Sequence, residues 1–139
     1  MRQSTHTLTI ETKTRGLIEI TRDIVHWVAK ENFRSGLLTV YCRHTSASLL
    51  IQENADPDVQ TDLQNYFEEI APEDPDRYVH GVEGPDDMPA HIRTALTQTS
   101  LSIPILEGKA VLGTWQGIYL FEHRTRPHTR EIVLHAIGD

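Results

Sequence analysis

The chain has 139 residues, 38% hydrophobic and 24% charged, a composition that suits one globular domain and excludes an intrinsically disordered chain. Thirteen basic against twenty acidic residues leave a formal charge of −7, which argues against general affinity for nucleic acid or anionic membranes. Eight histidines make that charge sensitive to mildly acid pH, and a local basic site for a small anion stays compatible with it.

Thr5–Lys13 alternates and is rich in threonine, which predicts a strand; Gly16 turns the chain into a second at Leu17–Ile20. Thr21 can cap a helix running to about Phe33, with Ile24, Trp27 and Val28 on one face and Ser35-Gly36 as its end. Leu37–His44 and Ser48–Glu53 read as strands joined by a turn near Thr45-Ser46. Asp56-Pro57 is a helix start, because the carboxylate caps free N–H groups and proline suits the first helical position. Val59, Leu63, Tyr66, Phe67 and Ile70 follow at helical spacing, and Pro72 closes that helix.

Pro72–Pro89 holds four of the seven prolines and six acids in eighteen positions. Loops this long in compact domains are functional or disordered, and Tyr78, Val79, Val82 and Met88 argue for an ordered loop that covers something. A third helix is expected from about Pro89 to Thr99, with Ile92, Ala95 and Leu96 inward and Asp86 or Asp87 as its cap. Leu101–Leu106, Ala110–Glu122 and Glu131–Ile137 read as strands. The middle one is apolar enough to be central, with Trp115 in the core or a subunit interface. Six or seven strands with about three helices predict a single α+β domain over residues 1–139, β-sandwich-like and built on a mixed or antiparallel sheet.

A single cysteine, Cys42, excludes an internal disulfide framework and a multi-cysteine zinc module, and reads as a small buried hydrophobe. No apolar run approaches the roughly 20 residues of a membrane span, and Met1–His6 lacks a signal-peptide apolar region, so the expected compartment is the cytoplasm.

His44, His80 and His91 fall at a strand end, in the long loop and in a first helical turn. Three imidazoles with an open fourth position are a catalytic metal arrangement, but their spacing matches no local metal motif. Independent surface histidines and a metal-free acid–base role are the other readings. Carboxylates able to orient a ring cluster nearby in sequence: Glu53, Asp56, Asp62, Glu83, Asp86 and Asp87. Ser46 and Ser48 beside His44 suit turn hydroxyls, with an anion contact as a second role. Arg124, Arg126, His128 and Arg130 form a basic cluster that suits a phosphorylated small molecule, an interface ion pair or a solvated edge. Gln116, between two glycines of the central strand, can hydrogen-bond into a pocket.

His44–Ser48, Glu53-Asn54 with Asp56-Pro57, Asp86-Asp87 up to His91, and Gly113–Ile118 occur in the order found in the YjbQ-like family, which the chain resembles from about Thr5 to Gly138. Members of that family are labelled secondary thiamine-phosphate synthase enzymes. The resemblance implies a strand sandwich assembled as a homotrimer, in which His44, His80 and His91 share a pocket suited to a divalent metal ion such as zinc. It further implies His44, Glu53 and Asp87 as catalytic residues, and Ser46, Ser48, Gln116 and Arg130 as contacts for a small phosphorylated ligand. Asp62 and Glu122 also fall on matching positions. The implied reaction joins a pyrimidine-methyl diphosphate to a thiazole phosphate with release of pyrophosphate, as a side activity. Metal-assisted hydrolysis or transfer on another phosphorylated metabolite, and a non-catalytic trimer that binds an anion or metal, are the alternatives. His123–Thr129 departs from the Asp-Gly-Pro-Arg turn common in the family, so the resemblance assigns nothing to Arg124 or Arg126.

Overall fold

The computed structural model describes residues 1–139. Eight strands, β1 (Arg2–Thr12), β2 (Gly16–Glu19), β3 (Ser35–Cys42), β4 (Ala47–Glu53), β5 (Ser100–Leu106), β6 (Lys109–Ala110), β7 (Gln116–Glu122) and β8 (His128–Gly138), form two sheets. The order is β1-β8-β3-β5-β6 in the larger and β2-β7-β4 in the smaller, and every pairing is antiparallel. Alternation explains the larger sheet: Ile132, Leu134 and Ala136 of β8 point inward, while Glu131, Val133 and Ile137 point out. Leu38 and Val40 of β3 and Ile103 and Ile105 of β5 complete that inner face.

Three helices, α1 (Thr21–Glu31), α2 (Pro57–Ile70) and α3 (Asp87–Leu96), fit an α+β fold. Ile24, Trp27 and Val28 of α1 join Ile118 and Leu120 of β7 in one 18-residue core cluster between the sheets. The other face of β7 is covered by α2, where Phe67 meets Phe121 edge-on at 5.4 Å. That double cover is why β7 is buried from Gly117 to Glu122. The outer face of the larger sheet carries no helix. No helix is long and apolar enough to cross a membrane.

Several boundaries differ from expectation, each for a local reason. The expected strand Ala110–Glu122 is two, β6 and β7, separated by a turn. Gln116 Oε1 closes that turn by accepting from Gly113 N at 2.8 Å, and Trp115 at its tip is 62% exposed rather than in the core. Asn32, in a left-handed conformation at φ 54°, ends α1, and Ser35-Gly36 already belong to β3. Thr21 is not a cap; its hydroxyl bonds the Glu19 carboxylate and accepts from Ile118 N. Asp56 does cap α2, accepting from Asp58 N at 2.9 Å, but Tyr66 and Ile70 are exposed and Phe67 alone is fully buried.

The third helix departs furthest. It starts at Asp87, and Pro89, Ala90 and Arg93 face inward while Ala95 and Leu96 are exposed. Arg93 reverses the expected polarity because its guanidinium donates to the carbonyls of Phe67 and Ala71, at the negative end of the α2 dipole. Neither Asp86 nor Asp87 caps α3 with its side chain; both carboxylates are engaged elsewhere.

Candidate functional site

Asp87 opens α3 and His91 lies one turn on, so both side chains share a helix face. The long loop returns His80 to the same point. Asp87 Oδ2 is 2.7 Å from His80 Nε2 and 3.3 Å from His91 Nε2, and the three ligand atoms lie within 4.8 Å of one another. The imidazole rings are 5.4 Å apart and tilted by 60°.

Thr45, in the turn after β3, defines the tautomer of His91. Its carbonyl accepts from Nδ1 at 2.9 Å, so in the neutral ring Nε2 carries a lone pair. That lone pair faces a carboxylate oxygen, an arrangement that is favourable only with a proton or a cation between the two acceptors.

Arg124 holds the acids from behind. Its Nη1 is 3.1 Å from Asp87 Oδ1, its Nε is 2.8 Å from Asp86 Oδ2, and its Nη2 donates to the Glu83 carbonyl at 2.9 Å. Burial would raise the Asp86 carboxyl, but hydrogen bonds from Arg124 and Thr125 outweigh it and hold Asp86 at about 2. The bond to Asp86 in turn raises the pKa of the Arg124 guanidinium. Two buried carboxylates share one guanidinium, which leaves a negative excess beside the histidine pair.

Beneath this lies a buried polar layer. Arg130 binds Glu122 through both nitrogens, Nε to Oε1 at 2.8 Å and Nη2 to Oε2 at 2.5 Å, and Nη2 also reaches Ser46 Oγ at 3.0 Å. Burial alone would raise the Glu122 carboxyl, but hydrogen bonds from Arg130, Thr12 and the Arg124 amide hold it below the usual carboxylate range. Ser48 Oγ lies 2.8 Å from His123 Nε2 and 2.6 Å from Thr97 Oγ1. Burial, with the charges of Arg93, Arg15 and Arg130, lowers His123 to about 3, so its ring is neutral, and its Nδ1 has no partner.

The structure therefore brings His80, Asp87 and His91 together, with Ser46, Ser48 and Arg130 in the layer beneath. His44 is not brought to them within the chain. Its Nε2 accepts from Glu131 N at 2.8 Å, and its ring borders an open concavity with Tyr41, Arg43, Thr45 and Val133. Burial and the Arg130 charge lower its pKa. Glu53 and Gln116 pair with each other at the far end of β4 and β7, six steps from the Ala47–Glu122 pair, or roughly 20 Å at the rise of a strand.

Asp86 is a sequence candidate as a ring-orienting carboxylate and Arg124 as part of a basic cluster, but no local pattern joins the two, and Thr45 and His123 carry no candidate role. Asp87 and His91 stand four residues apart, a spacing that signals a shared face once the helix is known to begin at Asp87. For Arg124 and the Thr45 carbonyl no local signal exists, since their partners lie 37 and 46 residues away in the chain.

The profile of the family described as "UPF0047 protein YjbQ-like" matches residues 6–139. UPF0047 protein sll1880 of Synechocystis sp. is 54% identical over 138 residues, covering 99% of this chain and 94% of the relative. UPF0047 protein YjbQ of Escherichia coli O157:H7 is 41% identical over 134 residues, with 96% of each chain covered. Among solved structures, a yjbq/upf0047-family protein from Clostridium acetobutylicum superposes with a TM-score of 0.87 at 36% identity, covering 95% of this chain and 99% of that one. A hypothetical protein from Aeropyrum pernix superposes with a TM-score of 0.88 at 27% identity, covering 98% and 99%. Matched along nearly its whole length in both sequence and fold, the chain belongs to the UPF0047, YjbQ-like family.

Proposed function

We propose that the chain is a divalent-metal-dependent enzyme acting on a small phosphorylated metabolite, with His80, Asp87 and His91 as the metal ligands. One observation carries the reading: the Thr45 carbonyl accepts from Nδ1–H of His91, so in the neutral ring Nε2 turns a lone pair toward Asp87 Oδ2 at 3.3 Å. Two imidazole nitrogens and a carboxylate oxygen are a donor set for zinc and related first-row ions, with coordination positions left open to substrate. When bound, such an ion would stabilise the oxygens of a departing phosphate.

The chain's own residues prepare the site. Arg124 occupies Asp87 Oδ1 and leaves Oδ2 to the histidines, and Thr45 selects the tautomer of His91. Behind them, Arg130, Glu122 and Ser46 tie the end of β7 to the turn after β3. The specific reaction favoured by the family resemblance is the coupling of a pyrimidine-methyl diphosphate with a thiazole phosphate. There the carbon–oxygen bond to diphosphate breaks, a bond from that carbon to the thiazole nitrogen forms, and pyrophosphate leaves. Both substrates are anionic, and cations stabilise such a leaving group.

Calorimetric titration of metal-stripped protein with zinc tests the ligands. One equivalent per chain should bind, and Asp87→Ala or His91→Ala should each weaken it by at least about tenfold. Unchanged affinity in both variants removes the site, and an equal loss in His44→Ala would add His44 to it. Complementation of a strain lacking its main thiamine-phosphate synthase tests the reaction. Failure at high expression, with zinc still bound, would move the assignment to hydrolysis or transfer on another phosphorylated metabolite. Binding without turnover would make the protein a non-catalytic anion or metal binder.

We also propose a homotrimer, supported by the uncovered outer face of the larger sheet. Leu37 and Ile137 are cross-strand partners there, Tyr41 and Val133 pair four residues along the same two strands, and Leu37, Tyr41 and Ile137 are exposed.

A further inference from the structure

The loop before α3 is built rather than loose. Asp74 caps a single 3₁₀ turn at Pro75–Arg77, the Tyr78 hydroxyl donates to the Pro72 carbonyl at 2.8 Å, and Gly84 N donates back to the Gly81 carbonyl at 3.3 Å. These turns enclose a cavity of about 260 Å³ lined by Pro75, Tyr78, His80, Gly81, Gly84 and Pro85. Its lining is aromatic, cyclic and small, with His80 as the one imidazole and no carboxylate. The volume falls below the usual range for drug-sized ligands and leaves room for about one ring. Val79 and Val82 stand fully exposed on either side of His80-Gly81.

Arg126 adds a charge to this cavity. Arg124 and Arg130 are committed to buried carboxylates, whereas the Arg126 guanidinium takes part in no ion pair or hydrogen bond within the chain. Its Nη2 lies 3.9 Å from the point that a Cβ on Gly84 would occupy, and Gly84 adopts φ +110°, a conformation that favours glycine. The guanidinium thus lies beside Gly84, one of the residues that line the cavity. Asp86, beneath the same point, is already paired with Arg124.

We propose that this cavity and Arg126 form the substrate subsite, which takes a single-ring phosphate ester. The ring sits among Tyr78, Pro75 and Pro85, and the phosphate is held between Arg126 and the His80–Asp87–His91 centre. Guanidinium pairs with phosphate through two parallel hydrogen bonds, and His80, shared by the cavity and the ligand triad, joins the two ends. This subsite rests on the metal reading only for the second contact to the phosphate.

Calorimetry with phenyl phosphate and with inorganic phosphate on the zinc-loaded chain tests the subsite. Phenyl phosphate should bind at least tenfold more tightly than inorganic phosphate, and Arg126→Gln should lose about tenfold for phenyl phosphate. The variant's affinity for zinc should stay within twofold of the parent, which also serves as the fold control. Equal affinity for the two probes, or wild-type phenyl phosphate affinity in Arg126→Gln, overturns the subsite while leaving the metal site standing. Failure of zinc to bind overturns the metal site instead, and the same Arg126→Gln comparison on the metal-free chain then decides the subsite alone.

Discussion

The two oxygens of Asp87 have separate partners: Arg124 takes Oδ1, and His80 and His91 share Oδ2. Removing the guanidinium would leave Asp86 and Asp87 buried and uncompensated. Arg124→Ala should therefore destabilise the fold by about 3 kcal/mol or more, read as a lower urea midpoint. Loss within error of a surface substitution would contradict the buried network. His123 makes a second prediction at this scale. Its ring is neutral in the fold down to about pH 3 but takes up a proton near 6.5 in the unfolded chain. The unfolded state thus binds the extra proton, and stability falls as pH drops between these values. His123→Gln should flatten the stability profile between pH 6 and 4 by about 1.4 kcal/mol per pH unit. An unchanged slope would mean that the ring is protonated in the fold. Asp86 does not confuse the comparison, because its contribution is lost only as pH falls from about 4 toward 2. Neither role is legible locally: Arg124 reads as one member of a basic cluster and His123 as a polar residue following a strand, and burial makes the histidine neutral and the arginine a clamp.

The elements follow local sequence pattern unevenly, and the reason lies in what covers each face. The helix start at Asp56-Pro57 and the inward set Ile24, Trp27 and Val28 hold, because capping chemistry and a one-sided stripe are local properties. The apolar stripe of α2 misleads, since the helix lies over the smaller sheet with only Phe67 fully covered. For α3, Arg93 is inward and Leu96 outward, a choice made by the open carbonyls at the end of α2. Backbone proximity also acts at this scale. Gly36 of β3 pairs with Gly138 of β8, and a Cβ on Gly36 would stand 2.4 Å from the Ile137 carbonyl oxygen. Gly36→Ala should cost about 1–3 kcal/mol in chemical denaturation, as overpacking does, and a neutral result would mean that the strands separate freely there.

For the whole molecule, the larger sheet leaves one face without a layer. Leu37, Tyr41 and Ile137 lie on it among threonines and serines, with Arg43 and Glu131 paired at 3.5 Å toward one end. Light scattering should return three times the mass of the chain, and Leu37→Asp with Tyr41→Glu should shift the particle to the mass of one chain. A monomer before substitution would remove the trimer. His44 borders the same face through the concavity it shares with Tyr41 and Val133, so zinc titration of His44→Ala in the assembled protein also reports on whether assembly changes the ligand set.

Much of the architecture was open to reading from the chain alone. Alternating threonine, valine and isoleucine runs predict strands, aspartate-proline predicts a helix start, and four ordered motifs indicate the family. These patterns act over a few residues, with periods of about 2 and 3.6, so they survive without knowledge of what lies opposite. The Thr45 carbonyl on His91, the clamping of Asp86 and Asp87 by Arg124, and the separation of Glu53 and Gln116 from the His80–Asp87–His91 cluster emerge only when the sheets close. Those contacts join segments tens of residues apart, and burial then sets their charges. Position in a motif says which residues are available, whereas the packed interior decides which of their atoms face one another.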